Sequence, residues 1–192
     1  MRGGVAALVG GALLLCGCNR QPAERQAVAG ALPDGQAAVV DHLLEGESLT
    51  DVGGVFEIGP APGASGEQAL LVPPGLAKTV KVIKGAAGFA VDVPTAAKVN
   101  VWLRVKWTGT CSNSVIVKAP GLPAKIVGES ATYEAWHWVQ GPTVDAKAGP
   151  LSLELQARED GIFVDQILVT SDLQRVPVGI EQAPESGAKL EE

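Results

Sequence analysis

The residues from which a nucleophile–imidazole pair or a zinc site would be built are few: two histidines, His42 and His137, and three cysteines, Cys16, Cys18 and Cys111. A nucleophilic triad needs a Ser or Cys beside a His that a carboxylate orients. Neither histidine lies near a strand–turn–helix elbow, and Gly63-Ala64-Ser65-Gly66 lacks the Gly-x-Ser-x-Gly spacing. His137, between Trp136 and Trp138, reads as a partly exposed strand residue. Cys111 lies between Thr110 and Ser112 with no adjacent Lys or Arg to activate it, and reads as a spectator thiol. No acid–base pair can be placed, so the chain is expected to bind and not to catalyse. Zinc would want several His or Cys ligands at short spacing, and two scattered histidines do not supply them. Calcium accepts carboxylates drawn from distant strands. Glu45 and Glu47 are two apart and point the same way on an extended chain, while Asp165 sits in the apolar run Ile162, Phe163, Val164, Ile167, Leu168, Val169. A carboxylate in such a run is costly unless paired or metal-bound. These three are the candidate calcium ligands; the alternative for the two glutamates is a solvated strand edge.

The elements that must position these residues are strands. Val99, Val101, Leu103, Val105 and Trp107 alternate with Asn100, Trp102, Arg104 and Lys106, and Leu151, Leu153, Leu155 and Ala157 with Ser152, Glu154, Gln156 and Arg158. Period-two alternation marks a strand with one buried face. Shorter β-rich runs occupy 78–84, 88–93, 114–118, 125–127, 132–139 and 163–170, and 37–44 is expected to be an opening strand. Turn residues between such runs point to an all-β sandwich or jelly roll. No repeat of 20 to 50 residues appears, which excludes propellers and solenoids.

The ends differ in composition. Residues 1–17 carry a basic start at Arg2 and an apolar stretch over 5–15, the layout of an export signal. Leu15-Cys16-Gly17-Cys18 resembles the lipobox of bacterial lipoproteins. That resemblance implies removal of residues 1–17, lipidation of Cys18, and anchoring to the cell envelope without a spanning helix. Asn19 is not the Asp that resembles an inner-membrane retention signal, so the outer membrane is the expected site in a Gram-negative source. Residues 18–35 read as a lipidated flexible tether, 36–175 as the folded domain and 176–192 as a disordered tail. Loss of Arg2 takes the formal charge from −6 to −7. Such an acidic chain without a Lys/Arg cluster is a poor partner for nucleic acid. Cys111 would then be the one unmodified cysteine, so no intramolecular disulfide is available and the core must hold the fold.

From about residue 43 to 178 the order of features resembles the carbohydrate-binding modules of families 6 and 35, galactose-binding-like jelly rolls. The matching pieces are Leu44-Glu45-Gly46-Glu47, Gly88-Phe89-Ala90-Val91-Asp92-Val93-Pro94, Val101-Trp102-Leu103-Arg104-Val105, Asn113-Ser114-Val115, Trp136-His137-Trp138-Val139, and the closing stretch from Arg158 to Thr170. The resemblance implies a structural Ca2+ held by Glu45, Glu47 and Asp165, with Gly46 equivalent to the alanine usual between the glutamates. It also implies a sugar site on loops at one end of the sandwich. There Tyr133 occupies a stacking position. Trp136, Trp138 and Trp102 are further candidates, Trp136 and Trp138 being equally readable as core, and Asn113 is the polar candidate. Trp107 is expected to be buried. Phe163 stands where family 6 modules often carry a hydroxyl-binding Asn. The resulting expectation is a non-catalytic, lipid-anchored envelope protein that binds a glycan or envelope polysaccharide. The alternative is an envelope scaffold that uses the same fold to bind a protein.

Overall fold

The computed structural model describes residues 39–183. Residues 1–17, read as an export signal, and 18–35, read as a tether lipidated at Cys18, lie outside the described residues. Among the described residues eleven strands form two antiparallel sheets: β1 (Asp41–Glu45), β2 (Asp51–Gly54), β3 (Glu57–Pro60), β4 (Gln68–Val72), β5 (Gly85–Val93), β6 (Ala97–Trp107), β7 (Ser114–Lys118), β8 (Lys125–Gly128), β9 (His137–Ala146), β10 (Gly149–Gln156) and β11 (Ile162–Thr170). One sheet runs β3-β4-β11-β6-β9, with β1 also on β11; the other runs β2-β5-β10-β7-β8. No α-helix occurs among the described residues; Gly46–Ser48 and Leu76–Lys78 are single 3-10 turns. The architecture is the expected all-β sandwich of jelly-roll type.

The two alternating segments are the centre of the fold. Val99, Val101, Leu103, Val105 and Trp107 of β6, with Ile162, Val164, Ile167 and Val169 of β11, pack against Leu151, Leu153 and Leu155 of β10 in one core. Burying each such aliphatic side chain is worth about 1.5–3 kcal/mol, so these rows dominate stability. Trp107 is fully buried. The opposite parity of β6, with Trp102, Arg104 and Lys106, therefore lies on the outer face of the six-stranded sheet.

Several strand expectations need correction. The run 78–84 is not a strand: it follows the 3-10 turn, and Val82 is exposed. In 132–139 the strand begins only at His137, because Glu134 takes a φ of 55° that extended backbone does not allow. β2, β3 and β4 escaped the pattern reading. Gly53, Gly54, Gly59 and Pro60 interrupt the alternation of the first two, and Pro60 is tolerated at the end of an edge strand.

The segment from 176, read from composition as the start of a disordered tail, is held against the six-stranded sheet as far as Glu181. Trp138 Nε1 donates to the Gly179 carbonyl at 3.0 Å, and the Gln166 side chain both donates to Glu181 O and accepts from Glu181 N, each at 3.0 Å. The remainder of that tail, 184–192, lies outside the described residues.

Candidate functional site

Along one edge of β11 the partner changes from β4, beside 162–164, to β1, beside 166–170. At the changeover the register to β6 shifts between Val164 and Gln166. Asp165 is the extra residue of this bulge, and bulges re-aim side chains. Glu45 closes β1, and the 3-10 turn that follows carries Glu47, with Ser48 Oγ donating to the Glu45 carbonyl at 2.7 Å. Glu47 is thus on a turn, not on the extended chain expected. Even so, one carboxylate oxygen from each of Glu45, Glu47 and Asp165 lies within 4.8 Å of the others. The equivalence of Gly46 to alanine does not hold here, because a Cβ at Gly46 would collide with the Val164 carbonyl oxygen and reach 3.1 Å from that of Asp165.

The loop between β3 and β4 completes the cluster. Ser65 N donates to Asp165 Oδ1 at 2.9 Å, and its hydroxyl lies 2.5 Å from Glu45 Oε2 and 2.9 Å from Asp165 Oδ1. A hydroxyl carries one proton, so it satisfies one of these acceptors at a time. Gln166 Nε2 donates to Glu45 Oε1 at 2.9 Å. Arg104 pairs with Asp165 Oδ2, and both residues are buried. Burial pushes Glu47 above the ordinary carboxylate range; its own backbone hydrogen bond opposes that, and the charges of Glu45 and Asp165 add to it. Glu47 Oε2 is buried with no hydrogen-bond partner among the described residues. Gly66 leaves room for Glu47, since a Cβ there would collide with Glu47 Oε1. Three carboxylates against one guanidinium leave a net charge of about −2, and the donors are hard oxygens, the kind that Ca2+ takes. The donor set and the orphaned Glu47 oxygen fit such an ion. A cavity of 240 Å³ opens on the cluster, lined by Glu45, Glu47, Ser65, Gly66, Ile180 and Gln182.

An aromatic patch lies beside it. Phe163 and Lys106 are cross-strand partners on the outer face. The Phe163 and Trp136 rings meet edge-on, with centroids 6.4 Å apart at 82°, over Ala61, Ala64 and Ala69. Trp136 Nε1 donates to the Pro62 carbonyl at 3.0 Å, which fixes the ring. Lys106 Nζ stands 5.2 Å from the Trp136 centroid and 4.8 Å from that of Phe163, and Arg104 Cζ stands 5.1 Å from Trp136. Such cation–ring contacts are worth about 0.5–1 kcal/mol where exposed. Trp136 is half-buried and belongs to this satellite cluster, not to the core between the sheets.

The other predicted binding residues do not gather around it. Trp102 is 9% exposed. The carbonyls of Leu173 and Gly179 are tied by Asn100 and Trp138 on either side of it. It is therefore no exposed stacking ring, and the expectation from its polar parity fails because the C-terminal segment crosses that face. Tyr133 packs partly against the main core, whereas Trp136 does not, which reverses the relation expected between the two rings. Trp138 is half-buried on β9 and occupied by its bond to Gly179. Asn113 lies in the β6–β7 loop, where its main-chain N–H donates to Glu159 Oε2 at 2.8 Å, within a network that also holds Ser114 and Arg158. The closing Arg158-Glu159-Asp160 stretch thus ties loops together: Asp160 Oδ2 accepts from Ala77 N at 2.9 Å. Ser65, Gly66, Arg104, Lys106 and Gln166 were missed as site residues, and Phe163 was noted only for the amide it replaces. The parity of β6 could have pointed to Arg104 and Lys106; nothing local marks Ser65, which reaches Asp165 across 100 positions. A cavity of 530 Å³ on the outer face of the five-stranded sheet, floored by Gly88, Ala90 and Ser152, contains none of the predicted residues.

No family model matches the sequence, and no curated protein matches it. Solved structures do resemble the fold. A family 35 carbohydrate-binding module from Clostridium thermocellum superposes with a TM-score of 0.52 at 15% identity, covering 67% of this chain and 98% of that one. The C-terminal family 6 module of a laminarinase from Zobellia galactanivorans gives 0.50 at 13% identity, covering 68% and 99%. The Podospora anserina GH26-CBM35 β-(1,4)-mannanase gives 0.55 at 15% identity, covering 71% of this chain. This chain spans 29% of the mannanase and likewise 29% of an exo-β-1,3-galactanase from Phanerochaete chrysosporium. At these identities the likeness is one of fold.

Proposed function

We propose that the protein is a non-catalytic carbohydrate-binding module, exported and tethered to the cell envelope, at the outer membrane, through lipid on Cys18. One observation carries the binding reading: a half-exposed Trp136, fixed by Pro62 and Phe163 and flanked by Arg104 and Lys106, on a sandwich whose structural neighbours include isolated family 6 and 35 modules. A rigid ring with the partly exposed Lys106 ammonium beside it can stack on a pyranose while Lys106 donates to a hydroxyl, and Arg104, buried against Asp165, supports the ring from below.

Ca2+ is proposed to sit among Glu45, Glu47 and Asp165. When bound it supplies positive charge that neutralises the cluster and joins β1, the 3-10 turn and the β11 bulge. Ser65 holds Asp165 in place, Gln166 orients Glu45, and Arg104 pairs with the Asp165 carboxylate within the sheet. A native-state ion adds RT ln(1 + [L]/Kd) to stability, about 2.7 kcal/mol at a hundredfold excess.

A second reading, an envelope scaffold that binds protein, draws support from Phe163. Its ring packs over Ala61, Ala64 and Ala69 where the family 6 resemblance leads one to look for an amide. Screening the full chain with Cys18→Ser on a glycan array, with Ca2+ present, separates the two. Retention of at least one glycan is expected, and a blank array together with capture of a defined envelope protein would favour the scaffold.

A further inference from the structure

The C-terminal segment 171–183 is anchored at both its beginning and its end. Val40 N donates to Ser171 Oγ at 2.9 Å and Ser171 N to Val40 O at 2.8 Å, where the segment leaves β11. Arg175 then bridges Asp41 on β1, at 2.5 Å to Oδ2, and Glu181 further along the segment, at 2.6 Å. Glu181 Oε1 also accepts from Val178 N at 3.0 Å, so this one carboxylate closes the segment into a loop. On either side of Glu181, Ile180 and Gln182 form one wall of the cavity over Glu45 and Glu47.

The link between this strap and the carboxylates is Gln166. Its side chain is fully buried, and its amide has two tasks at once. Nε2 donates to Glu45 Oε1 at 2.9 Å and to Glu181 O at 3.0 Å, and Oε1 accepts from Glu181 N at 3.0 Å. Glu181 thus meets the amide through both its N–H and its carbonyl, as a strand partner would. The orientation that serves Glu45 is the one that grips the strap. If the strap lifts, a buried amide loses two of its three partners, and unmade buried hydrogen bonds are costly. The amide that donates to Glu45 is then no longer held in orientation by the strap.

We propose that the strap and the cation site are one coupled unit, with Gln166 as the positioning residue: strap docking preorganises Glu45 and walls the cavity, and a bound divalent cation in turn holds the strap down. This rests on the cation reading given above. Binding linkage is reciprocal, so each event must favour the other by the same factor.

The test uses the full chain and Ca2+ alone. Arg175→Ala removes the bridge between Asp41 and Glu181 and touches no carboxylate of the cluster; Trp138→Phe removes the donor to Gly179 and keeps a ring in place. Calorimetric titration gives Ca2+ affinity, and a Glu-specific protease gives the rate of cleavage after Glu181. The expected result is that both variants weaken Ca2+ binding about fivefold or more, and that saturating Ca2+ slows cleavage of the parent chain by a similar factor. Ca2+ binding that both variants leave unchanged, with cleavage indifferent to Ca2+, overturns the coupling while the cation reading stands. If the parent chain binds no Ca2+ at all, both fall together.

Discussion

Replacing Gly46 by alanine places one methyl group where two backbone carbonyls already are. The added Cβ would collide with Val164 O and sit 3.1 Å from both Asp165 O and Val164 C. These are main-chain atoms of β11 and cannot rotate aside as a flexible side chain would. Relief must come from the 3-10 turn, which carries Glu47, or from the bulge, which carries Asp165. Inserting atoms into a packed site costs typically about 1–3 kcal/mol. Alanine also restricts the unfolded chain, which returns about 0.4–1 kcal/mol. The net expectation is a loss of about 1–2 kcal/mol, and at roughly 2–4 °C per kcal/mol for a domain of this size Tm falls by about 2–8 °C. Because the displaced turn bears a carboxylate of the cluster, Ca2+ affinity should fall as well. Differential scanning calorimetry with chelator, then titration with Ca2+, reads both. A Gly46→Ala chain with unchanged Tm and unchanged Ca2+ affinity would refute the packing argument and restore the equivalence of the two residues.

Glu47→Gln should stabilise the Ca2+-free protein at neutral pH and abolish its thermal response to Ca2+; a variant that melts lower in chelator would contradict the raised proton affinity of Glu47. The sign follows from linkage. A carboxylate with a raised folded pKa binds more protons folded than unfolded, so the Ca2+-free parent should lose stability as pH climbs from the ordinary glutamate range through the raised value and level off above it. Trp136→Ala should fold with near-parental Tm and lose about tenfold or more in affinity for any glycan bound, about 1.4 kcal/mol, while Tyr133→Ala, which removes a ring packed against the core, should cost stability of about 1–2 kcal/mol; melting and binding curves for both variants decide whether the roles are assigned correctly. Cys18→Ser should release the protein from the membrane fraction, and full membrane retention of the variant would end the lipoprotein reading.

Much of the fold was legible because its two central rows obey a strict period of two. β6 and β10 each turn one apolar row to the core between the sheets, so Val99 to Trp107 and Leu151 to Leu155 announce both sheets, although β6 is covered on its outer face as well. β2 and β3 carry little apolar alternation and owe their place to pairing with β5 and β4, which no local pattern reports. The three carboxylates were legible through family resemblance and through the oddity of an Asp in an apolar strand. Their surroundings were not. Asp165 points where it does because β11 changes partners at that residue, and Ser65 arrives from a distant hairpin loop. Trp102 shows the limit of parity reasoning: its alternation correctly places it on the outer face, but a segment whose composition suggested disorder covers that face.

The central claim is that this sandwich binds carbohydrate at the Trp136 patch, and affinity electrophoresis tests it most directly. The full chain with Cys18→Ser is run through native gels containing soluble xylan, mannan, galactan or β-1,3-glucan, each with Ca2+, beside a non-binding reference protein. At least one polysaccharide should retard the parent chain, and Trp136→Ala should migrate with the reference in that same gel while its circular dichroism matches the parent. Unretarded migration of the parent in every gel, or retardation that survives Trp136→Ala unchanged, would contradict the claim.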